Sequence, residues 1–424
     1  GGYGGGLVGY NDLMIRNSYN TGAVTVNGDS GYGGGLVGYN DGTIRYSYST
    51  GAVSLTDLVG GYGGGLVGYN DLNGSITSSY WDTETSQPID NGVGGGSGSA
   101  DVTGLITADF FNTSNFDFNF GTTPGVLNGW VIVDADGAFN NSSSAGATRP
   151  MLLSEYSTTI NNAHQLQLME MAPSASYTLG TNIDASTTGL IGGISKDVWG
   201  SSGFVPVGNA ATKFTGTFDG LGHTITGLTI NRPATDYVGL FGYTNGATIS
   251  NVGLVGGSVT GNSYVGGLVG LVQPCGTISN SYNTGNVTGG YGVGGLVGWN
   301  DGGTINKSYS TGNVYGTGDG TGGLAGQNTN VGAINNSYST GNVTGAWGVG
   351  GLVGYNTTNH GETPSTITNS YSTGIVTNGG LVGWNGGHNT YDPEGIITSS
   401  YWDMQTSGRG ASDGGTGIAT TAAM

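Results

Sequence analysis

Residues 295–322 read GLVGWNDGGTINKSYSTGNVYGTGDGTG. Three short β-compatible runs stand in this stretch, at 296–299, 304–310 and 313–315, each closed by Gly, Asn, Asp or Thr-Gly turn chemistry. Runs of this length bounded by turn residues are strand signals, and none is long enough to be a helix. The opening Gly-Leu-Val-Gly recurs. It begins at Gly6, Gly35, Gly65, Gly267, Gly295, Gly351 and Gly380, with variants at Gly239 and Gly323. The intervals are 29 and 30 residues in a first block, then 28, 28, 28, 28 and 29 in a second. A fixed period of this size marks a stacked-coil protein, in which each repeat buries its apolar face only against its neighbours.

The pattern predicts an all-β, right-handed parallel β-helix of about 28-residue coils, three strands to a coil, with right-handed winding as the default for parallel crossovers. Coils repeat at about 4.8 Å, so identical positions form columns along the axis. Leu268, Leu296 and Leu324 make one apolar column and Ile278, Ile305 and Ile334 another. Tyr19, Tyr48, Tyr80, Tyr282, Tyr309, Tyr338, Tyr371 and Tyr401 make a tyrosine column, and Asn11, Asn40, Asn70, Asn300, Asn328, Asn356 and Asn385 an asparagine column. Stacked amides of this kind hydrogen-bond from coil to coil.

Glycine supplies 91 of 424 residues, about three times ordinary usage. It lacks the every-third-residue spacing of collagen and therefore reads as turn residue. Only 8% of residues are charged, and 26 acids against 8 bases give a formal charge of −18. Eight scattered bases cannot form the stripe that nucleic acid or another polyanion requires. The single Cys275 excludes an internal disulfide framework. No apolar run reaches the length of a membrane span. The chain opens inside a repeat with no initiator Met or signal peptide, so we expect a piece of a longer exported polypeptide.

Four regions are expected. Residues 1-86 form a first array of three coils, and 87-150 an aromatic-rich β connector packed on the end of that array. Residues 151-213 form a capping helix and solenoid entry, and 214-424 a second array whose first full coil is 214–230. Both arrays close on Ser-Tyr-Trp-Asp, at Tyr80-Trp81-Asp82 and Tyr401-Trp402-Asp403, and the echo continues from Thr103 and Thr416. The two tryptophans lie 321 residues apart, so a longer period contains the short one. The helix is placed at 160–171, with Asn161 as cap and Pro173 as stop, covering the open end of the second array.

Gly-Gly-Leu-Val-Gly-Tyr/Trp-Asn followed by Thr-Ile-x-x-Ser-Tyr-Ser-Thr-Gly-x-Val resembles the GLUG motif of large bacterial exported adhesins similar to filamentous haemagglutinin. The motif also occurs in cell-wall metallopeptidases that cleave immunoglobulin A, but their His-Glu-x-x-His zinc signature is absent here. The resemblance implies a non-enzymatic structural segment of a cell-surface adhesin or extracellular filament. It would act as a rigid rod at the cell surface, for adhesion or matrix and biofilm contact.

The remaining candidates for chemistry are weighed against that scaffold role. His164, His223, His360 and His388 share no metal-ligand spacing, so no metal or cofactor is expected. Asp12, Asp41, Asp71 and Asp301 recur in one Asn-Asp turn, whereas a catalytic carboxylate pair should occur once. The tyrosine column reads first as packing. Facing outward, Tyr282, Trp299, Tyr309, Tyr338 and Tyr371 would instead form a ladder for sugar rings, making the chain a carbohydrate-binding module. The expected partners are further copies, stacked end to end or laterally, and surface glycans or host matrix proteins.

Overall fold

The computed structural model describes residues 2–420 apart from 28–29, 57–59, 87–88, 142–145, 191, 359–362 and 387–392. Two compact units emerge. One holds Gly1–Tyr156 with Leu190–Gly200, and the other holds Ser157–Gly189 with Ser201–Met424.

The second unit is a parallel β-solenoid. One coil comprises strands Val293–Gly294, Val297–Asp301, Thr304–Asn306, Tyr309–Ser310 and Val314–Gly316. Each pairs in parallel with its equivalents in the coils before and after. Five strands replace the three expected. The extra strand 293–294 lies in the Gly-rich link, and run 304–310 breaks at Lys307, whose φ is +49°. The same corner is left-handed at Asn280, Asn336, Asn369 and Ser399. This conformation is costly for side chains other than Gly and Asn, so the coil path imposes it.

The corner frees a backbone N–H, and the next serine solves the problem. Ser281, Ser308, Ser337 and Ser370 each donate N–H to the serine hydroxyl one coil on, at 3.2–3.3 Å. Each of these hydroxyls donates in turn to the carbonyl two residues upstream, at 2.7–2.9 Å. All four serines are buried, so these bonds satisfy groups that would otherwise be stranded.

Inside the coil, Leu268, Leu296, Leu324, Leu352 and Leu381 and the column Ile249, Ile278, Ile305, Ile334 and Ile367 are fully buried, as their spacing predicts. Burying each such side chain contributes about 1.5–3 kcal/mol. In the inner coils the first glycine of Gly-Leu-Val-Gly faces a buried polar residue across this interior. A Cβ at Gly295, Gly323 or Gly351 would overlap the hydroxyls of Ser310, Ser339 and Ser372. At the closing coil the inward serine becomes tryptophan, because Trp402 pairs in register with Ser372 and Trp81 with Ser49. Both indoles are buried and plug the end of the apolar core.

The winding of this unit starts at Thr159–Ile160 and Ser176–Leu179, which pair with each other and lead to Thr217–Asp219. It therefore begins well before the coil at 214–230. The helix is Ala163–Leu168, and its cap is Asn162, whose side chain accepts from Gln165 N at 2.9 Å, rather than Asn161. Asn162 has the extended backbone that a cap needs. Gln167 bonds both ways to the Val205 backbone, and Glu170 accepts from Gly208 N at 2.6 Å. Val207 bridges in parallel to Phe241, so the helix side chains satisfy backbone at the entry end of the array.

In the first unit the Tyr3–Gly5, Val8–Asn11 and Met14–Arg16 strands repeat in register through the second coil, and the winding adds Val93–Gly96 and Ser99–Leu105 to the last full coil. The aromatic stretch that follows forms two 3-10 turns, Thr107–Phe111 and Thr113–Asn115, and an antiparallel pair, Trp130–Val131 with Met151–Leu152. Its rings lie along the flank of the array, on the tyrosine column, and not on the end. The end is already closed by the added strands and Trp81.

Candidate functional site: the tyrosine and asparagine columns

Within each unit the asparagine column is an amide ladder. Asn11 donates to Asn40 at 2.6 Å and Asn40 to Asn70 at 2.7 Å. In the second unit Asn300, Asn328 and Asn356 each donate to the next member, ending at Asn385, at 2.7–2.8 Å. The second amide hydrogen of Asn300 and of Asn328 goes to a carbonyl of the adjoining turn. The ladder holds coils together from inside and offers nothing to a ligand.

The tyrosine column alternates with the buried Asn283, Ser310, Ser339 and Ser372, so the pleat turns its rings outward. Tyr282, Tyr309, Tyr338 and Tyr371 stack at centroid distances of 4.7, 4.8 and 5.0 Å with interplanar angles of 2°, 4° and 6°. The ladder leans toward its entry end, where the Tyr282 ring lies over Gly253, a position at which any Cβ would overlap it. Tyr371 and Tyr401 are 42% and 39% exposed and line a cleft of about 290 Å³ with Trp402, Asp403 and Ile418. Burial first, then the neighbouring phenols, pushes the Tyr309 and Tyr338 hydroxyls above the ordinary tyrosine range. Each inner ring turns both faces to its neighbours, so a ligand approaching from solvent meets ring edges and hydroxyls.

Trp299 lies elsewhere. It sits in the Val297–Asp301 strand, stacks on Tyr264 at 4.8 Å, and donates Nε1–H to Thr329 Oγ1 at 2.7 Å. It belongs to a second aromatic face, whose Trp347 and Trp384 rings approach to 5.3 Å. The first unit has a related face that the columns singled out from sequence do not include. Tyr3, Tyr32 and Tyr62 interlock there with Tyr10, Tyr39 and Tyr69 at 5.2–5.8 Å. Its signal is a tyrosine pair seven residues apart, flanking Gly-Gly-Gly-Leu-Val-Gly in three successive repeats.

The recurrent acids are tied into turns. Asp71 accepts from the Tyr39 hydroxyl at 2.7 Å and Leu72 N at 2.8 Å, and these bonds hold its carboxyl low. Asp301 accepts from Asn330 and Thr329 of the next coil. Among the described residues no three His, Cys, Asp or Glu side chains gather as a metal site. His360 and His388 lie outside the described residues.

The Tyr-Trp-Asp closures carry matching latches. Asp82 accepts from the Thr107 hydroxyl at 2.8 and 3.0 Å and from the Glu84 and Thr85 backbone. Asp403 accepts from the Thr420 hydroxyl at 2.9 and 3.0 Å and from the Gln405 and Thr406 backbone. Only Asp82 has a cation beside it. The buried Arg149 guanidinium stands 3.6 Å away.

Comparison with known proteins agrees with this repeat reading. Residues 29–54, 261–288, 289–315 and 345–377 match the GLUG motif. The chain contains GLUG repeats. It is 44% identical over 108 residues to halomucin of Haloquadratum walsbyi, covering 24% of this chain and 1% of that protein. It is 37% identical over 78 residues to a protein of Evansella cellulosilytica provisionally named a Gly-rich membrane protein, covering 15% and 9%. The chain thus spans a small fraction of the length of these relatives. A crystal structure of a candidate immunoglobulin A1 protease from Bacteroides ovatus aligns with 62% of this chain and 82% of its own, at 22% identity and a TM-score of 0.42.

Proposed function

We infer that this chain is a non-enzymatic β-solenoid segment of an extracellular or cell-surface protein, a stiff spacer that sets the reach of an adhesin or filament. The observation that carries this reading is the uninterrupted coil-to-coil bonding. Two sheets of the second unit run through nine strands each, reinforced by the serine and asparagine ladders. Eight strand spacings amount to about 38 Å of continuously bonded rise. Such a stack resists bending, because tilting one coil breaks several parallel bonds together. The acidic balance supports solubility and an extracellular setting, and a relative named as a membrane protein supports placement at the cell envelope. Turnover finds no support in acids that repeat coil after coil and serve turn hydrogen bonds. No helix among the described residues is long and apolar enough to cross a membrane.

The spacer reading is tested by inserting the chain between a surface anchor and a small ligand-binding reporter on displayed cells. Axial fluorescence microscopy should place the reporter tens of Å further from the surface, on the order of the rise above. A Gly/Ser linker with the same number of residues should give a broader and shorter distribution. Equal reporter heights would overturn the spacer role.

A further inference from the structure

The same tyrosine column is treated differently in the two units. In the first it is covered. Tyr48 is 0% and Tyr80 5% exposed, beneath Phe110, Phe116, Phe118 and Trp130. Tyr48 meets Phe110 at 5.5 Å and Trp130 at 5.7 Å, and Tyr80 meets Phe116 at 4.9 Å and Phe118 at 5.3 Å, the last two edge-on. Every hydroxyl has a partner from this part of the chain. Tyr19 donates to Glu155 at 2.8 Å, Tyr48 donates to the Pro150 carbonyl at 2.7 Å, and Tyr80 accepts from Asp117 N at 2.8 Å. The stretch acts as a strap that supplies ring edges and polar partners together. A buried phenol needs both.

In the second unit the register-equivalent Tyr309, Tyr338, Tyr371 and Tyr401 have no strap among the described residues, and Tyr371 and Tyr401 are exposed where Tyr48 and Tyr80 are buried. The path that leads into the strap is nonetheless repeated. Tyr401–Asp403 pairs with Thr416–Ile418 as Tyr80, Trp81 and Asp82 pair with Thr103, Gly104 and Leu105. The Thr420–Asp403 latch then repeats Thr107–Asp82. Thr107 also starts the 3-10 turn that sets Phe110 on Tyr48. Two units thus share one column and one latch, and differ in whether the column is occupied.

We propose that the open ladder of the second unit, from Tyr309 to Tyr401, is a docking face for a Phe/Trp-rich peptide segment of the kind that residues 107–131 form over the first unit. The segment docks with ring edges against the tyrosine stack and a backbone N–H at a phenol hydroxyl, as Asp117 N does at Tyr80. This goes beyond the spacer reading and does not depend on it. Edge-on packing suits the site, since the stacked rings hide their faces and expose their rims. Within a single chain, occupation of the ladder would join one array to an aromatic strap and lock both.

The test uses the full chain, whose first ladder is already occupied, and a fluorescent synthetic peptide of residues 107–131 followed by anisotropy. Saturable one-to-one binding is expected. It should weaken about tenfold or more in Tyr338→Ala/Tyr371→Ala, as for a truncated aromatic anchor, and in a peptide carrying Phe116→Ala and Phe118→Ala. Circular dichroism and the unfolding midpoint guard against a misfolded variant. Tyr338→Phe/Tyr371→Phe, which keeps the rings and the stack, should retain most of the binding and lose only the hydroxyl share. Three outcomes would overturn the proposal: no peptide binding to the intact chain, binding indifferent to the ladder substitutions, or a ladder that binds glycans or pairs with a second copy while ignoring the peptide.

Discussion

At the scale of single residues, the stability of this molecule rests on side chains that repeat a bond rather than a shape. Asn328 is fully buried, accepts from Asn300 at 2.7 Å, and donates to Asn356 at 2.8 Å. Asn328→Ala removes an acceptor and strands two amide neighbours in the interior, a loss of about 2–4 kcal/mol that urea unfolding should register. Ser308→Ala should cost about 1–3 kcal/mol by the same reasoning, because the Ser281 N–H loses its only acceptor at the corner. The tyrosines give a pH dependence. Burial raises the Tyr309 and Tyr338 hydroxyls, and Tyr264 is pushed up to about 12, burial again acting first. Folded values above the unfolded one mean that their stabilising share is complete below about pH 10 and fades as pH climbs through the folded values. The urea midpoint should hold steady from neutrality to about pH 9 and fall between about pH 10 and 12. The asparagine, leucine and isoleucine columns were legible in sequence because one residue type recurs at one spacing. The left-handed corner was not, since Asn, Lys and Ser all occupy it and the coil path, not the residue, dictates its φ.

At the scale of elements, the ends of each array are where chemistry departs from the repeat. Trp402 occupies the inward position of Ser372, and Trp81 that of Ser49. Trp402→Ser would restore the repeat and leave the core open, costing about 3–5 kcal/mol, as for other buried Trp truncations. Limited proteolysis should then cut first near 400–420, whereas the parent chain resists there. The Tyr-Trp-Asp closures were visible in sequence as a terminal signature, but their role as plugs was not, because the serine that tryptophan replaces is known to face inward only once the pleat is set. A strand boundary inside 304–310 is hidden in the sequence as well, because no glycine marks the corner at Lys307. The helix was found from its periodicity, and its cap fell one residue later because the backbone turns at Asn162.

At the scale of the whole molecule, two units use one plan, a parallel stack closed by Tyr-Trp-Asp and a Thr–Asp latch. The period near 320 residues in the sequence pointed to this duplication. It could not show that the aromatic stretch lies on the tyrosine flank, since that stretch has no repeat and two of its targets are a hundred residues or more away: 102 for Tyr48 and Pro150, 136 for Tyr19 and Glu155. The account as a whole depends on each coil bonding only to its two neighbours. Pulling the chain from its ends in a single-molecule force experiment tests this directly. Along the isoleucine column from Ile249 to Ile397, coil lengths run from 27 (Ile278 to Ile305) to 33 (Ile334 to Ile367) residues. Peeling one coil should therefore release roughly 100 Å of chain, at about 3.3–3.6 Å per residue. The account predicts a ladder of force peaks at that spacing as coils leave one by one. Release of the whole array in one event, or steps unrelated to coil length, would contradict it.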